Sequence, residues 1–170
     1  VRMDAQTVRD SLLSLAGELD TSMGGPSLPV NATDSKRRSL YFVHSHNDHH
    51  PFLSMFDDAN VLECYRRAES ITPQQALALS NSAVSLRSAE KIAQKISADL
   101  PDADPAAFIR AAFLTVLNTA PSEAEAQVAQ TALEKLIAAA QAANRPQPEQ
   151  SARVSLVHAL LNHNDFITIR

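Results

Sequence analysis

The sequence predicts a mainly α-helical protein, a helical bundle of about five to six helices with a small two-stranded β ribbon and a long irregular central segment. Three observations carry this prediction. Alanine, the best helix former, is concentrated after Thr72, whereas all three glycines lie before it. Apolar residues after Thr72 recur at helical spacing. Residues 20–36, by contrast, are rich in Gly, Pro and other turn formers.

Length and charge limit the classes of protein that this chain can represent. Its 170 residues and net charge of −4 fit one soluble domain, residues 1–170, in which 1–72 form a helix plus a loop-rich aromatic segment and 73–170 an Ala-rich helical bundle with a terminal strand. The acidic balance argues against nucleic-acid binding. No apolar run is long enough for a membrane span, and no signal peptide is recognisable in this stretch. A single cysteine, Cys64, forbids an internal disulfide.

The first 72 residues contain one clear helix. Asp4 is an expected N-cap, and apolar residues then recur at spacings of three and four as far as Leu19, so we expect this helix to end near Asp20. After the turn-rich residues 20–36, residues 38–43 predict a short strand because four consecutive residues are apolar or aromatic. Pro51 predicts the start of one helical turn over residues 52–56.

Start signals divide the second part into helices. They are Thr72 before Pro73, Asn81 and Ser82 at a break, Asp104 before Pro105, a capping box of Ser122 with Glu125, and Ser151. Double apolar rows follow two of these starts, and the second of them includes Val128. Residues 166–169 alternate as a terminal strand. Because the two predicted strands have no other partner, we expect them to pair as the ribbon.

Four of the six histidines lie within seven residues, His44, His46, His49 and His50, and Asp48 is among them. Residues two apart on an extended segment project to one face, which places His44 and His46 as two imidazole ligands for Zn, Cu or Ni. The other members complete the site if the loop folds back. The alternative is a polar, solvated loop, since no obvious carboxylate orients these rings. We expect no cofactor in this stretch of sequence, with zinc at these histidines as the alternative.

Two pairs of arginines flank the aromatic segment, Arg37 with Arg38 and Arg66 with Arg67. Four guanidiniums that converge on one pocket would suit a carboxylate, sulfate or phosphate, because arginine presents a planar fork of donors. The alternative is structural. In that interpretation, one arginine of each pair reaches inward to acidic side chains and to carbonyls of the loop, whose backbone lacks regular hydrogen bonds.

Several blocks of sequence resemble one family. They are Arg-Asp-Ser-Leu at residues 9–12, Met-Gly-Gly-Pro at 23–26, Arg-Arg-Ser-Leu-Tyr-Phe at 37–42, Glu-Cys-Tyr-Arg-Arg-Ala-Glu-Ser at 63–70, Pro-Gln-Gln-Ala-Leu at 73–77 and His-Ala-Leu-Leu-Asn-His-Asn-Asp-Phe at 158–166. Together they resemble the planctomycete C-terminal domain of unknown function. That domain occurs in large exported proteins that often carry a cytochrome-c-like region and a second uncharacterised domain upstream.

The resemblance implies a fragment of an exported, periplasmic or extracellular bacterial protein whose partners are the upstream domains of the same parent. It implies no catalytic residue. We therefore expect a non-catalytic C-terminal helical module that packs against or positions other domains, with a homo-oligomer as a further expectation. The alternative is a ligand-binding domain that takes a metal or a small anion at the central His and Arg residues. An enzyme active in isolation is the third hypothesis.

Overall fold

The computed structural model describes residues 2–56, 72–100 and 104–168. These residues form helices and loops, and no strand occurs among them. The helices are α1 (Ala5–Leu15), α2 (Thr72–Asn81), α3 (Ala83–Asp99), α4 (Pro105–Leu117), α5 (Glu123–Ala142), α6 (Pro148–Leu161) and α7 (Asn164–Ile167). Two short 3-10 helices cover Ser39–Tyr41 and Leu53–Met55. The mainly helical prediction is confirmed, although these residues contain more helices than the five to six expected.

The protein divides into two compact units along the chain. The residues up to Ser85, together with those from Ile167 onward, form one unit, which we name the loop unit because residues 16–56 contain no α-helix. Leu86–Phe166 form the other, which we name the helical unit. The boundary between them falls inside α3.

The predicted β ribbon is wrong at its first strand. Residues 38–43 contain the 3-10 helix Ser39–Tyr41, and only Phe42 makes a bridge, an isolated parallel one with Leu28. The main chain turns at Ser39 because its N–H donates to the carboxylate of Asp10 at 2.8 Å. A side chain from α1 thus takes the donor that a strand would have given to a neighbouring strand.

The second predicted strand, over residues 166–169, is also wrong. Phe166 and Ile167 belong to α7, and both are buried. Thr168 forms a single antiparallel bridge with Arg2, and Ile169 lies outside the described residues. Alternating hydrophobicity over so few residues does not distinguish a strand from one buried helical turn.

Most of the predicted helix starts are confirmed. The carboxylate of Asp4 accepts a hydrogen bond from Thr7 N–H, and that of Asp104 accepts from the first turn of α4. Ser122 and Glu125 form the predicted capping box at the start of α5. The start at Ser151 is wrong. α6 begins three residues earlier at Pro148, whose fixed φ suits the first helical position.

The end of α1 differs from the prediction because a local capping motif intervenes. The helix ends at Leu15 rather than near Asp20. Glu18 N–H donates to Leu13 O at 2.8 Å and Gly17 N–H donates to Ser14 O at 2.9 Å, the two bonds of a Schellman motif. Gly17 has φ +73, a left-handed conformation that favours glycine.

Apolar rows on α4, α5 and α6 hold the helical unit together, and each of these helices contacts the other two. Of the six positions predicted for the double row on α4, Leu117 is half-buried and the other five are buried: Phe108, Ile109, Ala112, Phe113 and Val116. The row on α5 is correct at Ala129 and Leu133 but wrong at Val128, which is 70% exposed.

The core of the loop unit forms around one face of α1. Ala5, Val8 and Leu12 are fully buried there, and α1 contacts both 3-10 helices. The helical turn predicted over residues 52–56 is present as Leu53–Met55, and the rings of Phe52 and Phe56 are 4.9 Å apart. None of the described helices has the length and apolar character needed to cross a bilayer.

Candidate functional site

Arg37 binds the main chain of a loop instead of lining a pocket for an anion. Its guanidinium donates to Pro26 O at 3.0 Å and to Gly24 O, and it stacks on the ring of Tyr41 at 3.8 Å. The hydroxyl of Tyr41 accepts a hydrogen bond of 2.8 Å from Gly24 N–H. A Cβ at Gly25 would lie 3.6 Å from the guanidinium nitrogens, so the backbone approaches Arg37 closely. We name residues 23–26 the Met23 loop, since its first residue is 82% exposed.

Arg38 points to a different partner. Its Nε lies 3.8 Å from a carboxylate oxygen of Asp10, and its side chain is 43% exposed. Arg37 and Arg38 therefore serve separate contacts in the part of the chain that the structure describes. Arg66 and Arg67 lie outside the described residues, so the predicted convergence of all four arginines stays a prediction.

A third arginine, which sequence reasoning missed, organises this region. Arg9 is only 1% exposed, and its guanidinium donates to Arg37 O at 3.1 Å, to Ser39 Oγ at 3.2 Å and to Ser35 O. It also lies over the ring of Phe42, 4.9 Å from the centroid. One α-helical side chain thus holds three points of the irregular segment, and an aromatic face contributes further attraction to the cation.

Charge near Arg9 is balanced by Asp10. Burial lowers the pKa of Arg9, and the neighbouring Asp10 carboxylate, 4.0 Å away, opposes that shift. The same carboxylate accepts from Ser39 Oγ at 2.6 Å as well as from Ser39 N–H. The sequence did carry a signal. Arg9 lies four residues from both Ala5 and Leu13, which places it on the buried face of α1.

A groove of about 550 Å³ runs between α1 and the segment that follows Arg37. Asp10 and Arg38 line it together, so opposite charges meet in its wall. Polar side chains of α1 form much of the remaining surface, with Leu19 and Leu40 as its apolar part. The arrangement presents no single dominant charge to a ligand.

His50 stands apart from the other members of the histidine cluster. It is buried, and its Nδ1 accepts hydrogen bonds from Phe52 N–H at 3.2 Å and Leu53 N–H at 3.4 Å. Its ring also packs on Phe42, with the centroids 4.3 Å apart. His50 Nδ1 therefore pairs two main-chain N–H groups at the start of the 3-10 helix Leu53–Met55.

The other three histidines of the cluster, His44, His46 and His49, are exposed. The rings that pair are those of His44 and His49, whereas the sequence predicted His44 with His46. The ring centroids of His44 and His49 are 6.3 Å apart, with an edge-on angle of 77° between the rings. His46 contributes its main-chain carbonyl, which lies 3.2 Å from His49 Nε2. Asp48 N–H donates to Ser45 Oγ at 3.1 Å. Across the described residues, no three His, Cys, Asp or Glu side chains are grouped to hold a metal ion.

These features define a helical protein in which a buried arginine and its partners hold a long loop against the first helix. The chain belongs to the PSD1 family, described as a protein of unknown function (DUF1553), whose profile matches residues 1–133. Neither the comparison with curated proteins nor that with solved structures gives a significant match.

Proposed function

We propose that this chain is a non-catalytic helical module of a larger exported bacterial protein, in which it packs against and positions other domains. The bonding of the loop unit supports a structural role. Arg37 bonds loop carbonyls, Arg9 bonds loop carbonyls and Ser39, and His50 bonds main-chain N–H groups. The guanidinium groups of Arg9 and Arg37 and the imidazole of His50, which could otherwise bind a ligand, are thereby engaged in holding the loop in a fixed shape.

One observation carries the proposal, namely the 82% exposure of Met23 on a loop that is held in place. Arg37 and Tyr41 bond the backbone on its C-terminal side, and on its N-terminal side Ser22 N–H donates to Asp20 at 2.9 Å. An exposed methionine on a fixed loop is suited to contact with a partner. Its flexible thioether side chain adapts to many apolar surfaces.

The fixed backbone has a thermodynamic consequence for association. Burial of a methionine side chain contributes about 1.5–3 kcal/mol. Part of that gain is normally offset by the ordering of a loop and its side chains on binding. Since the Met23 loop is ordered by Arg37 and Tyr41 beforehand, less of the gain is offset, and a small contact contributes more to affinity.

The partner that we propose is the upstream part of the same parent protein. The resemblance of several sequence blocks to a planctomycete domain, found in exported proteins with a cytochrome-c-like region, supports this choice. A second copy of the chain is the alternative partner, which the same experiment distinguishes.

The test uses this chain and the preceding domains of its parent, expressed separately and mixed, with the dissociation constant measured by calorimetry. We expect Met23→Asp to weaken binding about tenfold or more, because it places a charge in an apolar contact. Val128→Asp is the matched control, since Val128 is also highly exposed but lies in the helical unit. We expect it to change the affinity by less than about twofold.

Light scattering of the isolated chain separates the two partners. A dimer that Met23→Asp dissociates would identify a second copy as the occupant of the Met23 loop. Failure of the wild-type chain to bind the preceding domains, together with a monomeric mass, would contradict the proposed function.

A further inference from the structure

We propose that His44 and His49 form a two-imidazole site for a divalent first-row transition-metal ion, with Cu²⁺ bound most tightly. This inference is independent of the proposed docking role. It rests on three observations: the distance between the two rings, the hydrogen bond that His49 makes, and the anchoring of the loop at both ends.

The separation of the rings fits a shared ion. An imidazole nitrogen lies about 2.0–2.1 Å from a bound metal, which puts each ring centroid about 3.2 Å from the ion. Two coordinated rings therefore have centroids roughly 4.5 Å apart when the angle at the metal is about 90° and roughly 6.4 Å apart when it is about 180°. The observed 6.3 Å between His44 and His49 lies at the wide end of this range. A separation at the wide end corresponds to two ligands on nearly opposite sides of the ion, an arrangement that a square-planar or tetragonal ion such as Cu²⁺ provides.

The hydrogen bond of His49 selects its coordinating nitrogen. A carbonyl oxygen only accepts, so the 3.2 Å contact with His46 O requires Nε2 of His49 to carry the proton. In the neutral ring, Nδ1 then has the lone pair that a metal needs. Histidine ligands in metal sites commonly donate their other ring nitrogen to a carboxylate or a main-chain carbonyl. His46 O fills that role here, which the sequence did not reveal.

The loop that carries the pair is fixed at both ends. Val43, next to His44, donates its N–H to Leu28 O at 2.8 Å. His50, next to His49, is buried against Phe42 and bonds the following helical turn. Between these anchors, Asp48 N–H donates to Ser45 Oγ. Such anchoring reduces the entropy lost when two rings are held on one ion.

Only two of the four histidines in the cluster supply a ring nitrogen to the proposed site. His50 uses Nδ1 for its own backbone, and His46 contributes a carbonyl and not its ring. With two protein ligands, water completes the coordination sphere. Imidazole nitrogen suits copper, nickel and zinc, and affinities of a given site rise to a maximum at Cu²⁺. We therefore expect the order Cu²⁺, then Ni²⁺ and Zn²⁺.

The experiment titrates the tag-free full chain with Cu²⁺ and with Zn²⁺ by calorimetry, and follows bound Cu²⁺ by electron paramagnetic resonance. His44→Ala and His49→Ala should each weaken Cu²⁺ binding about tenfold or more, and the nitrogen hyperfine structure of the spectrum should change from that of two coordinated nitrogens to that of one. His46→Ala is the matched control from the same loop. Because it retains the carbonyl, we expect less than about a threefold change. Circular dichroism should give the same spectrum for all three variants, since each replaced side chain is exposed.

Two outcomes overturn the proposal. If His46→Ala weakens binding as much as the other two substitutions, the loop binds metal through any of its imidazoles and the pair has no special role. If the wild-type chain binds Cu²⁺ no better than the His44→Ala/His49→Ala double variant, there is no site at this pair.

Discussion

The two units of this protein are stabilised in different ways. In the helical unit, most main-chain groups bond within helices, and apolar rows on α4, α5 and α6 supply the packing. The loop unit contains a long irregular segment after α1, and the main chain of that segment bonds side chains such as Arg9, Asp10 and Arg37. Where secondary structure is scarce, polar side chains form the hydrogen bonds that the backbone needs.

The largest effect is expected from the core of the helical unit. Phe113→Ala removes a buried ring from α4 and should lower the free energy of unfolding by about 3–5 kcal/mol. Leu114→Ala is the matched control, because the adjacent side chain is exposed, and it should cost less than about 1 kcal/mol. Urea unfolding followed by circular dichroism measures both. Equal effects of the two substitutions would mean that apolar packing is not what stabilises the helical unit.

A smaller but still large effect is expected from the loop unit when its buried cation is removed. Arg9→Met fills similar space but deprives two carbonyls and the Ser39 hydroxyl of their donor. We expect a loss of about 2–4 kcal/mol in unfolding free energy. Arg38→Met is the control, with a cost of less than about 1 kcal/mol, because Arg38 is half exposed and 3.8 Å from Asp10. An Arg9→Met protein as stable as wild type would show that the loop is held by its apolar contacts alone.

The difference between helices held by local caps and apolar rows and a loop held by distant side chains explains which parts of the fold the sequence predicted. The starts at Asp4, Asp104 and Ser122 were predictable because a cap and the helix that it begins lie within four residues of each other. Apolar spacing located the buried face of α4. The prediction that Val128 is buried was wrong because spacing alone does not say how wide the buried stripe of a helix is.

The loop unit was harder to predict because its structure depends on residues far apart in the sequence. The turn at Ser39 depends on Asp10, 29 residues earlier, which no local pattern reveals. In the same way, His44 pairs with His49 only once the loop between them has folded, so the extended-strand argument selected His46 instead. Arg9 was missed because a charged residue in a helix is ordinarily solvated.

The smallest expected effect concerns the N-terminal end of the irregular segment and depends on pH. The backbone N–H of Ser22, and then its hydroxyl, lower the pKa of Asp20 by bonding its carboxylate. A carboxyl whose pKa is depressed in the folded state adds stability above its ordinary value of about 3.9. That stability is lost as the pH falls through the lower folded value.

Asp20→Asn should therefore be less stable than wild type at about pH 6, and the difference should shrink as the pH falls below about 3.9 and through the depressed pKa of the folded wild-type carboxyl. The difference is small because Asp20 is exposed and solvent screens its charge. Ser22→Pro tests the cause, since it removes the N–H and hydroxyl donors but keeps the carboxylate, and it should reduce the pH dependence as Asp20→Asn does. Urea unfolding across this pH range measures all three proteins. A stability difference between wild type and Asp20→Asn that stays constant with pH would show that the bond to Ser22 does not depend on the charge of Asp20.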